Sequence, residues 1–374
     1  ASLFRRLECE NPGAGNLQPL RQVGAQELCD SLQTDEVAVE YFISGDEVSA
    51  FVASRAGFKV ARSIGSRRKT DLMLSSLRFH MRKFTYGSEY ASDRLENLKH
   101  AIDGRLADLY AEVFAPVEPL INGKRVIVIP HGPLHYLPFH ALSNRGEYLI
   151  DRFEISYSPS AAVLQLCRAR SKMTRRIWRS RTEPRKPTTD LVAVGISDPK
   201  TPNIREEISA LAAMFPDTTQ IRDDEATREN LFRLASGARF LHIATHGHFQ
   251  RDNPMFSFLE LADCRLDFYS LFDLKLKAEL VTLSGCQTGI NAVLPGDELH
   301  GLMRGFLYAG APSLVTSLWS VNDRSTSETM VRMYRNIQTG DSKRSALRKA
   351  QLSIREENSH PYYWAPFVLI GSPN

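Results

Sequence analysis

From Leu191 onward the chain alternates short apolar runs with helix-length amphipathic segments, and few folds accept that alternation. The apolar runs are 191–195, 240–244, 280–283 and 313–318, and a further short strand is expected at 218–222. Between and after them, 204–215, 227–236, 297–309, 323–338 and 342–357 carry apolar residues at helical spacing. Strands this short and apolar are buried on both faces, so the alternation predicts a mostly parallel sheet flanked by helices. In such sheets sites form beyond the carboxyl ends of the strands. A hairpin-like stretch at 255–268 interrupts the pattern.

The first part of the chain differs. Residues 36–63 read as a β-meander, with Val37, Val39, Tyr41 and Ile43 alternating and Ser44-Gly45-Asp46 turning the chain. Residues 69–115 read as helices, from Leu95, Leu98, Ile102, Leu106, Leu109 and Val113. The strand Arg125–Ile129 follows, then a strand at 148–157 and a helix at 159–170. Residues 171–189 hold Ser, Thr, Pro and much basic charge and read as an exposed linker. The expected division is therefore 1–170, a linker at 171–189, and 190–374. Arg125 to His131-Gly132 weakly echoes Arg239 to His246-Gly247, with one residue inserted.

Two strands end in reactive residues. One reads Phe240-Leu-His-Ile-Ala-Thr-His246-Gly247, the other Leu280-Val-Thr-Leu-Ser-Gly-Cys286-Gln-Thr-Gly289. In one parallel sheet, His246 and Cys286 emerge from the same edge. A Cys–His pair needs that placement, because a nearby imidazole takes the thiol proton and returns it to the leaving amine. The backbone N–H groups of Gly247 and Cys286 could then form an oxyanion hole. Taken singly, a strand-end Cys or His is more often structural. His242, His246 and His248 also raise a metal reading, but strand alternation supplies no carboxylate ligand, and no metal or other cofactor is expected. The chain has no G-x-S-x-G, H-E-x-x-H, Walker or G-x-G-x-x-G motif.

The five cysteines are scattered, with no C-x-x-C spacing, which fits a reducing, cytoplasmic setting. No apolar run is long enough for a membrane helix, so no membrane partner is expected. The net charge is +4, but Arg168 to Pro187 alone carries +8, so the basic total marks one segment and not a nucleic-acid surface. No initiator Met opens the chain, which fits a portion of a longer protein.

The segments 240–248, 283–289 and 301–321 resemble the CHAT-domain proteins, relatives of caspases, separase and gingipain. "VAVEYFISGDEVSAFVASRAG" (37–57), "RVIVIPHGPLHYLPFHAL" (125–142) and "YYWAPFVLIGSP" (362–373) extend the resemblance. It implies a caspase-like α/β fold whose N-terminal region, β-meander plus helices, is pseudo-protease-like. It also implies a cysteine endopeptidase acting on a protein substrate through a His246–Cys286 dyad, gated by an upstream sensor or repeat module, with bacterial defence as a setting. Such enzymes choose the residue before the cut with a charged pocket. Asp323, Asp198 and Trp319 are the candidates here, and the two carboxylates would favour a basic residue. Asp323 also suits a helix start, and Asp198 before Pro199 suits a turn. The alternatives are a catalytically silent caspase-like interaction module and another thiol hydrolase or transferase on the same scaffold.

Overall fold

The computed structural model describes residues 22–86, 94–179, 189–248, 257–285, 292–293 and 299–374. Its centre is one sheet of eleven strands. In chain order these are β1 (Glu36–Ser44), β2 (Glu47–Ser54), β3 (Gly57–Ser66), β4 (Arg125–Ile129), β5 (Glu154–Tyr157), β6 (Thr189–Gly195), β7 (Thr218–Arg222), β8 (Ala238–Ala244), β9 (Leu280–Leu283), β10 (Ser313–Ser317) and β11 (Phe367–Gly371). Across the sheet they run β3-β2-β1-β4-β5-β11-β10-β9-β8-β6-β7.

The five strands from β7 to β10 are parallel to one another. So are β1, β4, β5 and β11. The two sets meet at β10 and β11, which pair antiparallel. The carboxyl ends of the two sets therefore open on opposite edges of one sheet. Alternate residues of the strands face two apolar layers. Val192, Val194, Leu241, Ile243, Val281 and Leu283 join a core that extends to helices Arg67–Arg82, Leu95–Leu109 and Leu302–Tyr308. Leu191, Ala193, Phe240, Ala244 and Leu280 face helices Asn203–Met214, Asp323–Gln338 and Lys343–Glu357.

Several expectations shift. The 148–157 strand is a turn of helix, Leu149–Arg152, before β5. The Asp151 carboxylate accepts from the Tyr148 N–H and starts that turn. The helix expected at 159–170 runs on through Ala161–Arg179, into the segment read as linker. Its last turns are basic but anchored: Ser171 and Thr174 are buried, and the Trp178 indole donates to the Lys277 carbonyl at 3.3 Å. The helix expected from 297 begins at Leu302, after Gly301 with φ 133°, which helical residues do not adopt.

The echo between the halves has no insertion. Arg125 of β4 pairs with Glu36 and Glu154, and Phe240 of β8 pairs with Leu191 and Leu280. Counting from those pairs places His131 at the position of His246, Ser160 at that of Cys286 and Ile43 at that of Asp198. Two backbone bonds fit the same count, Ser158 N–H to Val128 O at 2.9 Å and Ser284 N–H to Ile243 O at 3.0 Å.

Two histidines in the core make stability depend on pH. Burial pushes His140 and His360 down to about 4. His140 Nε2 lies 3.0 Å from the Ala365 carbonyl, and His360 Nδ1 accepts from the Tyr362 N–H at 3.1 Å. An unfolded histidine titrates near 6.5, so the unfolded chain binds protons first as pH falls. Stability is then full above about 6.5 and is lost toward pH 4, by roughly 3 kcal/mol at most for each ring. Denaturant midpoints are expected to fall steadily between pH 7 and pH 4.5; a flat profile would contradict the neutral, buried state of both rings.

Candidate active site

β6, β8, β9 and β10 are neighbours running in one direction, so their carboxyl ends share an edge. His246 lies two residues past β8. Its Nε2 is 3.0 Å from Oδ2 of Asp198, which lies three residues past β6. The other Asp198 oxygen accepts from Lys200 N at 2.8 Å, Thr201 N at 2.9 Å and Thr201 Oγ1 at 2.9 Å. Burial pushes the Asp198 carboxyl up, but the Thr201 and Lys200 hydrogen bonds outweigh it and hold the group below the usual aspartate value.

The backbone around His246 is fixed as well. The His246 carbonyl accepts from Glu260 N at 2.9 Å, and the Thr245 hydroxyl donates to Glu260 O at 2.6 Å. Phe258–Glu260 pairs with Gly247–His248 on one side and Arg265–Asp267 on the other. The stretch read as hairpin-like thus becomes a three-stranded sheet that holds the His246 segment.

Cys286 lies outside the described residues, and so does its N–H. Its predecessor does not. A Cβ on Gly285 would sit 1.9 Å from the Thr245 carbonyl oxygen and 3.6 Å from the Gly247 nitrogen. The residue before Cys286 and the residue before His246 therefore touch backbone to backbone, and only glycine allows it. The Ser317 hydroxyl, at the end of β10, donates to the Gly285 carbonyl at 3.0 Å. Sequence reasoning missed Ser317, because a serine ending an apolar strand carries no signal of what it reaches.

Other candidates have stated partners. Asp323 Oδ2 accepts from both the backbone N–H and the side-chain amide of Asn203, at 2.8 and 2.7 Å. It ties the start of helix Asn203–Met214 to helix Asp323–Gln338, whose N-cap is Asn322. The Trp319 indole donates to the Tyr362 carbonyl at 3.1 Å and packs on the core. The three histidines near β8 do not converge. His242 is buried against Glu207 at 2.6 Å, His246 meets Asp198, and His248 meets Glu260 at 2.9 Å. No group of His, Cys, Asp and Glu able to hold a metal occurs among the described residues. Burial pushes the buried Cys167 thiol up to about 12, which removes it as a nucleophile at neutral pH, and it raises Cys264 in the same direction.

The edge can therefore present an oriented imidazole beside the chain that leads into a cysteine. Known proteins agree with the fold. Separase in the separase–securin complex of Saccharomyces cerevisiae superposes with a TM-score of 0.62 at 12% identity, over 93% of this chain and 31% of that one. The Arg-specific cysteine proteinase gingipain R does so with a TM-score of 0.51 at 12% identity, over 76% and 69%. Tetratricopeptide repeat protein 28 of Mus musculus and of Homo sapiens is 25% identical over 329 residues, 71% of this chain. The chain spans only 13% of the length of those curated relatives. The CHAT domain model matches residues 104–372, most of the chain and all of the edge just described, and the chain belongs to the CHAT domain family.

Proposed function

We propose that this chain is a cysteine endopeptidase in which Cys286 is the nucleophile and His246 its base. The contact of Gly285 with Thr245 carries the reading, because it brings the two motifs to one point of one edge. His246 takes the proton of the Cys286 thiol. The thiolate attacks the scissile carbonyl, and the oxyanion is met by backbone N–H groups at Gly247 and Cys286. His246 then gives its proton to the leaving amine, and a water that it deprotonates releases the acyl group.

The residue before the cut is proposed to be basic. Asp323 and Trp319 follow β10 on the same edge as His246, and gingipain R, a neighbour in fold, is an Arg-specific cysteine proteinase by name. An upstream repeat module that gates the site is also proposed, since the curated relatives are repeat proteins far longer than this chain.

A thiol-directed probe and a peptide library test this on the full-length protein. Cys286 is expected to label ahead of Cys167 and Cys264, and Cys286→Ala to abolish cleavage. Asp323→Asn, which keeps an oxygen for the Asn203 contact, is expected to reduce the Arg/Lys preference at least tenfold, the scale of one charged hydrogen bond. An unlabelled Cys286 together with an uncleaved library would refute the protease reading and leave a silent interaction module. An apolar preference in the wild type would refute the role of Asp323 alone.

A further inference from the structure

We propose that Asp198 positions His246, so that the reacting constellation is Cys286–His246–Asp198 and Asp198 is not a wall of the substrate pocket. The inference rests on the thiol-protease reading and adds a third member to it.

Geometry excludes the pocket role. A carboxylate that grips a substrate guanidinium needs at least one oxygen left for the ligand. Oδ1 of Asp198 already accepts three hydrogen bonds, from Lys200 and Thr201, and Oδ2 faces His246 Nε2. Those contacts leave no open edge for a fork. They do suit an orienting group. With Nε2–H donated to Oδ2, Nδ1 keeps its lone pair and becomes the atom that receives the thiol proton. The Asp198 loop is itself tied down. Ile196 N–H donates to Ala244 O at 3.0 Å, and Ser197 is held by Asp223 through its backbone and hydroxyl at 3.0 Å each. The other charged groups around His246 are engaged elsewhere: Asp223 with Arg205, Glu260 with His248, and Glu207 with His242.

The other half of the sheet acts as an internal control. At the matching positions it has His131, but Ser160 in place of Cys286 and Ile43 in place of Asp198. Its imidazole is held differently: His131 Nδ1 accepts the Ile43 backbone N–H at 3.3 Å, and the Phe42 ring lies 5.2 Å away. The Ser160 hydroxyl accepts from Val163 N at 3.2 Å, at the start of a helix. The half without the thiol is also the half without the carboxylate, as expected if the two serve one reaction.

Asp198→Asn is the decisive variant. Its amide oxygen can still accept at the Oδ1 position, so the loop is retained, while the negative charge on His246 is lost. The measurements are Cys286 alkylation by iodoacetamide, which needs no substrate, and the pH dependence of steady-state kinetics on a basic peptide. The alkaline limb of kcat/KM should move to lower pH, because the imidazolium that protonates the leaving amine is less stabilised without the carboxylate. kcat should fall on the order of 100-fold or more with KM little changed. An unmoved pH profile with a raised KM confined to basic substrates would overturn the proposal and restore Asp198 to the pocket. If wild-type Cys286 does not alkylate at all, the protease reading fails first, so the two failures are distinguishable.

Discussion

Gly285→Ala is expected to reduce kcat/KM by about 100-fold or more while the chain still folds. The added methyl would lie 1.9 Å from the Thr245 carbonyl oxygen, far inside any real contact. The obstructing atom is backbone, so no side chain can swing aside, and β8 and β9 must separate by more than about 1 Å at that point, a displacement that alone costs about 100-fold in a positioned reaction. The movement falls between the residues preceding His246 and Cys286. The rest of β9 is buried and pairs along its length with β8, so the strain stays local. Peptide cleavage, probe labelling of Cys286 and a thermal melt on the same preparation separate the effects. Labelling and cleavage should fall together with a melt lowered by only a few degrees. Near wild-type cleavage would mean that the two motifs do not act at this contact.

The sequence makes one half of this molecule legible and obscures the seam. Strand 280–283 and helix 323–338 fall where their patterns place them, because each buries apolar residues whose pattern is set locally. The strand-end positions of His246 and Gly285 follow from the same pattern. The partners of the site residues do not. Asp198 reads as a turn residue first and a pocket wall second, and only the register of β6 on β8 brings it to His246. Asp323 reads as a pocket carboxylate, and only the packing of two helices brings Asn203 to it. The least legible element is β11. Phe367–Gly371 follows a helix late in the chain, yet it pairs antiparallel with β10 and parallel with β5. That inversion sends His131 and His246 to opposite edges, and it arises from a non-local pairing that no window of sequence records.

β11 also bears on whether the two halves can be separated, and a buried ion network makes the question measurable. Glu36 and Arg344 are both essentially inaccessible, one on β1 and the other in helix Lys343–Glu357. Glu36 Oε1 lies 3.5 Å from Arg344, and its Oε2 meets Arg168 at 2.7 Å; Glu154 approaches Arg344 at 3.4 Å. Glu36→Ala is expected to destabilise the chain by about 3–5 kcal/mol, because it leaves Arg344 and Arg168 charged beside a smaller share of negative charge. The contacts of Arg344 are long, so the network compensates burial more than it adds stability. Arg344→Met in the Glu36→Ala background should therefore recover a good part of the loss, and chemical denaturation of the two single variants and the double variant measures the coupling. Simple additivity would mean that the charges do not interact. Strong coupling would mean that a charge on β1 and a charge on helix Lys343–Glu357 depend on each other across the N-terminal set that β11 joins. The His246 edge would then be supported by the whole sheet, and residues 190–374 expressed alone would expose Arg344 and one side of β11 and would not fold as a unit.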